Sequence, residues 1–244
     1  VRVKSKPNKK SYLGSRKEVN YIKPVIIILV IIILIAALYV GMRVVSIKNS
    51  DEFSMDELAI YYIVSENTTN DSSMNGNNQV FNKLVIINGE KKVAHVINIP
   101  PQLFIFSKNI DAMNSNPRDF AVIFGETLGI KANYIYSIVL KREYLKKTGI
   151  KNADELIKNF GKRGLRLTDY FKLRSQVESL RPESVITEAS LAKLYAGLGK
   201  FNITQHEVQT LTKFPLKITV GGKTFVRIYA DEEKFKELKN ELEK

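Results

Sequence analysis

The chain has no cysteine and no tryptophan, and only two histidines, His95 and His206. Without thiols there are no disulfides and no Cys-based metal sites, so the fold must rest on apolar packing alone. His95 falls in the middle of an expected strand and His206 in the first turn of an expected helix. So far apart in sequence, they give little support to a metal site or a His-based nucleophilic relay. Gly-rich phosphate loops of the Walker or dinucleotide type are also missing. Acidic residues are scarce at the N-terminus, where Glu18 stands alone against eight lysines and arginines in residues 1–23.

What the chain does have is a charge-free run over residues 25–42, nearly all Ile, Val and Leu. As a helix these residues rise to ~27 Å, which almost crosses the ~30 Å hydrocarbon layer of a bilayer. A snorkelling Arg43 can complete the span. A cleaved signal peptide has a shorter apolar region and a small-x-small site; here Ala36 and Ala37 are adjacent, which favours an uncleaved anchor. The positive-inside rule then places the basic arm in the cytoplasm and the rest outside. The arm also accounts for more than half of the net charge of +13. Residues 24–244 carry only +6, so nucleic acid is not an expected partner. A regulator whose basic arm touches nucleic acid or anionic lipid is the weaker alternative.

Beyond the span, residues 46–57 read as a juxtamembrane linker and residues 58–244 as one extracytoplasmic domain. LAIYYIV at 58–64 reads as a buried strand, and the Asn-rich segment 65–79 as an exposed loop. Asn88-Gly89 between two β-rich runs predicts a hairpin, ended by Pro100 and Pro101. A turn into a helix follows at 116–125, then a strand at 134–140. Helices are expected at 153–160, ended by Gly161, and at 169–180 behind Thr168. Thr187 should cap another at 188–198, with Gly199 just past its end. Thr204-x-x-Glu207 reads as a capping box opening a helix over 205–212. Residues 216–229, with Gly221-Gly222 at their centre, predict a hairpin, and Asp231 opens a last amphipathic helix. Strands and helices alternate, so the fold class is α/β, a single α/β/α-type domain with a mixed sheet. Gly161-x-x-Gly164, between Lys162, Arg163 and Arg166, reads as a solvated turn.

Several segments, in order, resemble the LytR–CpsA–Psr family. These are membrane-anchored bacterial proteins that transfer glycopolymers from a polyprenyl-pyrophosphate lipid to peptidoglycan. LVIINGEKKVAHVINIP (84–100) resembles the family's hairpin leading to a strand that ends in Ser-Ile-Pro-Arg-Asp. AVIFGETLGIKANYIYSIVLKREYL (121–145) resembles its helix and tyrosine-bearing strand. DYFKLRSQVESLR (169–181) resembles the helix with an Arg-Gln-Gln signature. Residues 185–201 and 216–242 resemble its last third.

The family binds pyrophosphate with arginines and a metal with carboxylates, as guanidinium forks and Mg²⁺ are suited to do. This chain departs at those positions. Pro101-Gln102 stands where the family has Arg-Asp, Ser65-Glu66 where an Asp belongs, and Asn82-Lys83 in place of an acidic, Arg-containing stretch. The segment between Leu145 and Asp169 is also shorter than the family's usual insertion. On the resemblance, Arg174, Lys172 and Gln176 are the remaining substrate contacts. Arg118, in Asn116-Pro117-Arg118-Asp119, is a further phosphate candidate, although Asp119 also suits a helix start. Each lost contact removes roughly 1.5–3 kcal/mol of charge-assisted hydrogen bonding.

The expectation is therefore a membrane-anchored cell-envelope domain that binds a lipid-linked glycan or an envelope protein, with no catalytic residues, metal or cofactor. The alternative is a divergent Mg-dependent phosphotransferase, which requires Arg174, Lys172 and Arg118 to meet in one cavity.

Overall fold

The computed structural model describes residues 22–65 and 82–243. The basic arm and nearly all of the Asn-rich segment, Glu66 included, lie outside these residues. In chain order the elements are α1 (Ile22–Lys48), β1 (Ala59–Ser65), β2 (Asn82–Asn88), β3 (Val93–Ile99), β4 (Leu103–Ile105), β5 (Ile110–Asp111) and α2 (Pro117–Thr127). There follow β6 (Tyr134–Leu140), α3 (Arg142–Thr148), α4 (Ala153–Arg163), α5 (Asp169–Leu180) and α6 (Glu188–Lys200). The chain closes with β7 (Asn202–Glu207), β8 (Leu216–Val220), β9 (Lys223–Tyr229) and α7 (Phe235–Leu242).

The chain divides into two compact units after Met42. In the first, the large apolar side chains from Val25 to Leu38 are exposed around the helix. Within the helix from Pro24 to Lys48 an 18-residue window has a mean hydropathy of 3.3, and the helix is long and apolar enough to cross a membrane. A helix apolar all round finds a favourable surrounding only in a large core or in lipid.

The second unit begins with the last turns of α1. Ile47 is buried there, and Val44 and Phe53 pack against the same core. The stretch read as a linker is therefore folded onto the domain. Met55 touches Gly89 so closely that a Cβ on Gly89 would lie 1.4 Å from the Met55 carbonyl oxygen.

A five-stranded sheet, ordered β6-β1-β2-β3-β7, runs through this unit. It is mixed, as the sequence predicted: β1 is parallel to β6 and β3 to β7, while β1–β2 and β2–β3 are antiparallel. Alternate residues serve its two faces. Tyr61, Ile63, Val85, Ile87 and Val96 pack under α4, α5 and α6, with Leu156, Phe160, Leu173, Val177 and Leu194. Ile60, Tyr62, Leu84, Ile86, Ile97 and Ile99 pack under α2 and α7, with Phe120, Phe124, Phe235 and Leu238. Each such side chain contributes ~1.5–3 kcal/mol on burial. A second sheet, β5-β4-β9-β8, adjoins the α2 face. Its β8–β9 hairpin turns at Gly221 and Gly222, both at positive φ, as the Gly-Gly pair predicted.

Local expectations fail in three places. The segment 205–212 is not a helix: residues 202–207 form β7. The edge of β3 holds unpaired backbone groups, and satisfying them outweighs one capping box. Helix α4 continues through Gly161 to Arg163, and α6 through Gly199 to Lys200. Gly199 is there for contact: a Cβ on it would come within 2.2 Å of the Gly164 Cα. Finally, β4, β5 and α3 carry too few residues to show a period and were not anticipated. The β2–β3 hairpin predicted at Asn88-Gly89 does form, with residues 89–92 in its turn. Capping by Thr187 holds, with Ser190 completing the box.

Candidate functional site

In α/β sheets, ligands bind where the strands end at their carboxyl side. Here β1, β3 and β6 end together, beside the start of β2. On the α2 face of this edge, Asn82 Nδ2 donates to the Tyr62 hydroxyl at 3.0 Å. Tyr62 lies against Phe120, with ring centroids 4.9 Å apart. Burial pushes its hydroxyl well above the ordinary tyrosine pKa, and the nearby Asp111 charge adds to this. Asp111 in turn meets Arg227 Nε at 3.4 Å, while the guanidinium lies 3.9 Å over the Phe104 ring.

On the opposite face of the same edge, Lys83 is 4% exposed. Its ammonium donates to Asn98 and faces Asp154 at 2.7 Å. A lysine is buried to this degree only with charge and hydrogen-bond partners present. Ser65 has a local duty, its Oγ accepting the Ala153 N–H at 3.3 Å at the start of α4. Pro101 and Gln102 lie in the turn from Pro100 to Leu103, and the Gln102 carbonyl accepts the Ile228 N–H at 2.8 Å. The position compared with Arg-Asp thus leads the chain into β4 alongside β9.

The four residues singled out from the sequence do not meet. Arg118 is exposed at the start of α2, where Asn116 Oδ1 accepts its N–H at 2.9 Å. Helices α2 and α5 cover opposite faces of the sheet, which keeps Arg118 away from Arg174. Within α5, two residues subtend ~200°, so Lys172 and Gln176 point away from Arg174. Gln176 receives a long hydrogen bond from the Tyr195 hydroxyl at 3.4 Å, and Lys172 is exposed.

Arg174 instead lines a cleft of about 570 Å³ with Arg43, Arg181, Glu52, Glu178 and Glu188. Its positive charges are matched within the cleft. Arg43 pairs with Glu188, and Arg174 Nε meets Glu178 at 2.9 Å. A neighbouring cleft of about 840 Å³ is lined in part by Lys48, Asp51, Asp56, Arg163 and Lys200.

The resemblance implies Mg²⁺ for the transferase chemistry, and the described carboxylates do not fit it. Mg²⁺ takes one or two carboxylates together with phosphate and water. Asp111 and Asp154 sit at the right edge but on opposite faces, each facing a cation. Among the described residues no three His, Cys, Asp or Glu side chains converge as a metal-binding group.

Three features escaped the sequence reading. Lys193 is fully buried in α6, donates to the Glu57 carbonyl and lies 5.6 Å over the Tyr134 ring. Burial lowers its pKa to about 8, partly offset by Glu57 and Asp56. A lysine in an Ala/Leu helix carries no sign of this in sequence. The Arg227–Asp111 pair joins residues from β9 and β5. The two histidines come together because β7 lies beside β3, with Nδ1 of His95 3.2 Å from Nε2 of His206.

No family model matches the chain, and no curated protein does. Solved structures similar to it include TagT of B. subtilis, at 12% identity and TM-score 0.38, covering 78% of this chain and 91% of that one. The LytR-CPS2A-psr family protein YwtF (TagT), with bound octaprenyl pyrophosphate lipid, aligns at 13% identity and TM-score 0.40, covering 80% and 93%. Lin1025 of Listeria innocua aligns at 13% identity and TM-score 0.44, covering 77% and 97%. These values transfer no residue role to this chain.

Proposed function

We propose that this chain is a single-pass membrane protein of the cell envelope, with residues 1–23 in the cytoplasm, 24–45 spanning and 58–244 outside. Its exported part is a LytR–CpsA–Psr-like domain that binds a lipid-linked glycan or an envelope protein without transferring anything. The ordered resemblance of its segments supports the family likeness, and the charge distribution across residues 1–45 supports the topology.

One observation carries the non-catalytic reading. At the carboxyl edge of the sheet, Lys83 and Arg227 already face carboxylates, and Lys141, which follows β6, pairs with Glu183. A pyrophosphate needs convergent positive charge that is stronger in the transition state than at rest. Here the ligand would compete with Asp154 and Asp111 for the same cations, on two different faces of the sheet.

The test is to give the full-length chain, in bilayer nanodiscs, a polyprenyl-pyrophosphate-linked glycan with and without Mg²⁺. Binding without cleavage of the pyrophosphate linkage is expected. Mg²⁺-dependent turnover would overturn the reading.

A second reading, a divergent phosphotransferase, would have to rest on Arg43, Arg174 and Arg181, which share one cleft, in place of Lys172 and Arg118. It requires turnover to fall when Arg174 is changed to Ala.

A further inference from the structure

Five polar atoms at the outer edge of the five-stranded sheet form a chain that the proposed function does not use. Thr204 and His206 are two residues apart on β7, so their side chains share a face. The register sets Thr204 opposite His95 on β3. Three atoms then close a triangle. His95 Nδ1 is 3.2 Å from His206 Nε2 and 2.8 Å from Thr204 Oγ1, and the last two are 3.1 Å apart. The far nitrogen of His206, Nδ1, meets Glu241 Oε2 of α7 at 3.1 Å. On the other side His95 is 4% exposed, and its Nε2 is buried without a hydrogen-bond partner among the described residues.

Hydrogen counting shows what the triangle lacks. A nitrogen facing a carboxylate is the one that carries the proton, so His206 donates from Nδ1 and presents a bare lone pair at Nε2. With both rings neutral, Thr204 brings one hydrogen and His95 at most one at Nδ1. Two hydrogens cannot fill three contacts. If His95 carries its proton on Nε2 instead, that donor is orphaned and only one hydrogen remains for the triangle. The spot is rich in lone pairs and poor in protons.

We propose that His95 Nδ1, His206 Nε2 and Thr204 Oγ1 form a site for a borderline divalent transition-metal ion such as Zn²⁺, with Glu241 orienting His206. Ligand atoms ~2.0–2.1 Å from such an ion stand ~2.9 Å apart at right angles and ~3.3 Å apart in a tetrahedron, which brackets two of the triangle's edges, 3.1 and 3.2 Å, with the third at 2.8 Å. Imidazole nitrogens suit Zn²⁺, Cu²⁺ and Ni²⁺ and are poor ligands for Mg²⁺. A ligating histidine that gives its other N–H to a carboxylate is the usual supporting arrangement, and Glu241 supplies it. The side chain of His206 is 10% exposed and that of Glu241 56%, which leaves a way in from solvent at the strand edge. Bound there, the ion ties β7 to β3 and, through Glu241, to α7. The proposal does not depend on the function proposed above.

The test is titration of the EDTA-stripped full-length chain in detergent with Zn²⁺, followed by calorimetry, with Co²⁺ absorption reporting histidine ligation. One ion per chain is expected. His206→Gln should weaken binding about 100-fold or more, and Glu241→Gln about 10–100-fold. His206 lies on an edge strand, and far-UV circular dichroism checks that its variant is folded. Should it fail to fold, Thr204→Val, which keeps shape and removes the ligand oxygen, serves in its place and should also weaken binding. Absence of saturable one-to-one binding by the wild type overturns the proposal. So does Zn²⁺ binding by the folded variants as tight as that of the wild type.

Discussion

Two ion pairs of the second unit differ in their surroundings. Lys83–Asp154 lies at the carboxyl edge of the sheet, where the lysine side chain is 5% exposed. Arg174–Glu178 lies on the flank of α5, with both side chains more than half exposed. Water already solvates the second pair, so pairing adds little to it. The first pair holds a charge that the fold has removed from water, and its partners make that burial tolerable. The strand-end edge is thus a place where charge is structural. The α5 flank is one where charge stays in contact with water.

The sharpest way to break this contrast is at Asp154. Asp154→Asn removes the carboxylate 2.7 Å from the buried ammonium; with Asp154 itself 61% exposed, the loss should be about 1–2 kcal/mol, read as a lowered urea midpoint of the full-length chain. Adding Lys83→Met to that variant should restore most of the loss, since an apolar side chain needs no counter-charge. A double variant no more stable than Asp154→Asn would mean that the lysine charge is not what costs.

Lys193 tests the same idea by pH. Its pKa in the fold is about 8 against 10.5 unfolded. Between these values the unfolded chain binds more protons, so stability should rise as pH rises through that window. Below about pH 8 the cost of the buried charge is present in full. Unfolding midpoints measured across the window should show this slope, and Lys193→Met should lose it.

Arg43–Glu188 is intermediate, with about a quarter of each side chain exposed. Arg43→Ala should cost about 1 kcal/mol. Smallest of all, Glu178→Ala should change the unfolding midpoint by no more than ~0.5 kcal/mol, because its pair is an exposed i,i+4 contact. A loss as large as that of Asp154→Asn would abolish the distinction between the two regions.

Most elements were legible because their signals are local. A Gly-Gly pair between β-rich runs makes the β8–β9 hairpin, and Thr187 with Ser190 opens α6. Where signals were local but weak, packing prevailed. The capping pattern at Thr204 gave way to an open strand edge, and glycines expected to end α4 and α6 were kept inside them. The candidate site was less legible. Arg118 and Arg174 are both arginines near helix starts or faces, and nothing in their spacing says that the sheet lies between them. Lys83 was read as a lost family residue, while its burial against Asp154 depends on residues 71 positions apart.

The sequence by itself determined that the chain holds one apolar helix of bilayer length, no thiol chemistry and an alternating α/β pattern. Those follow from composition and from periods of a few residues. Only the tertiary structure decided which charges are neutralised inside the fold, which arginines share a cleft, and that the two histidines face each other across β3 and β7. Those depend on strand order and register, which the whole chain settles by pairing its backbone groups and burying both faces of one sheet.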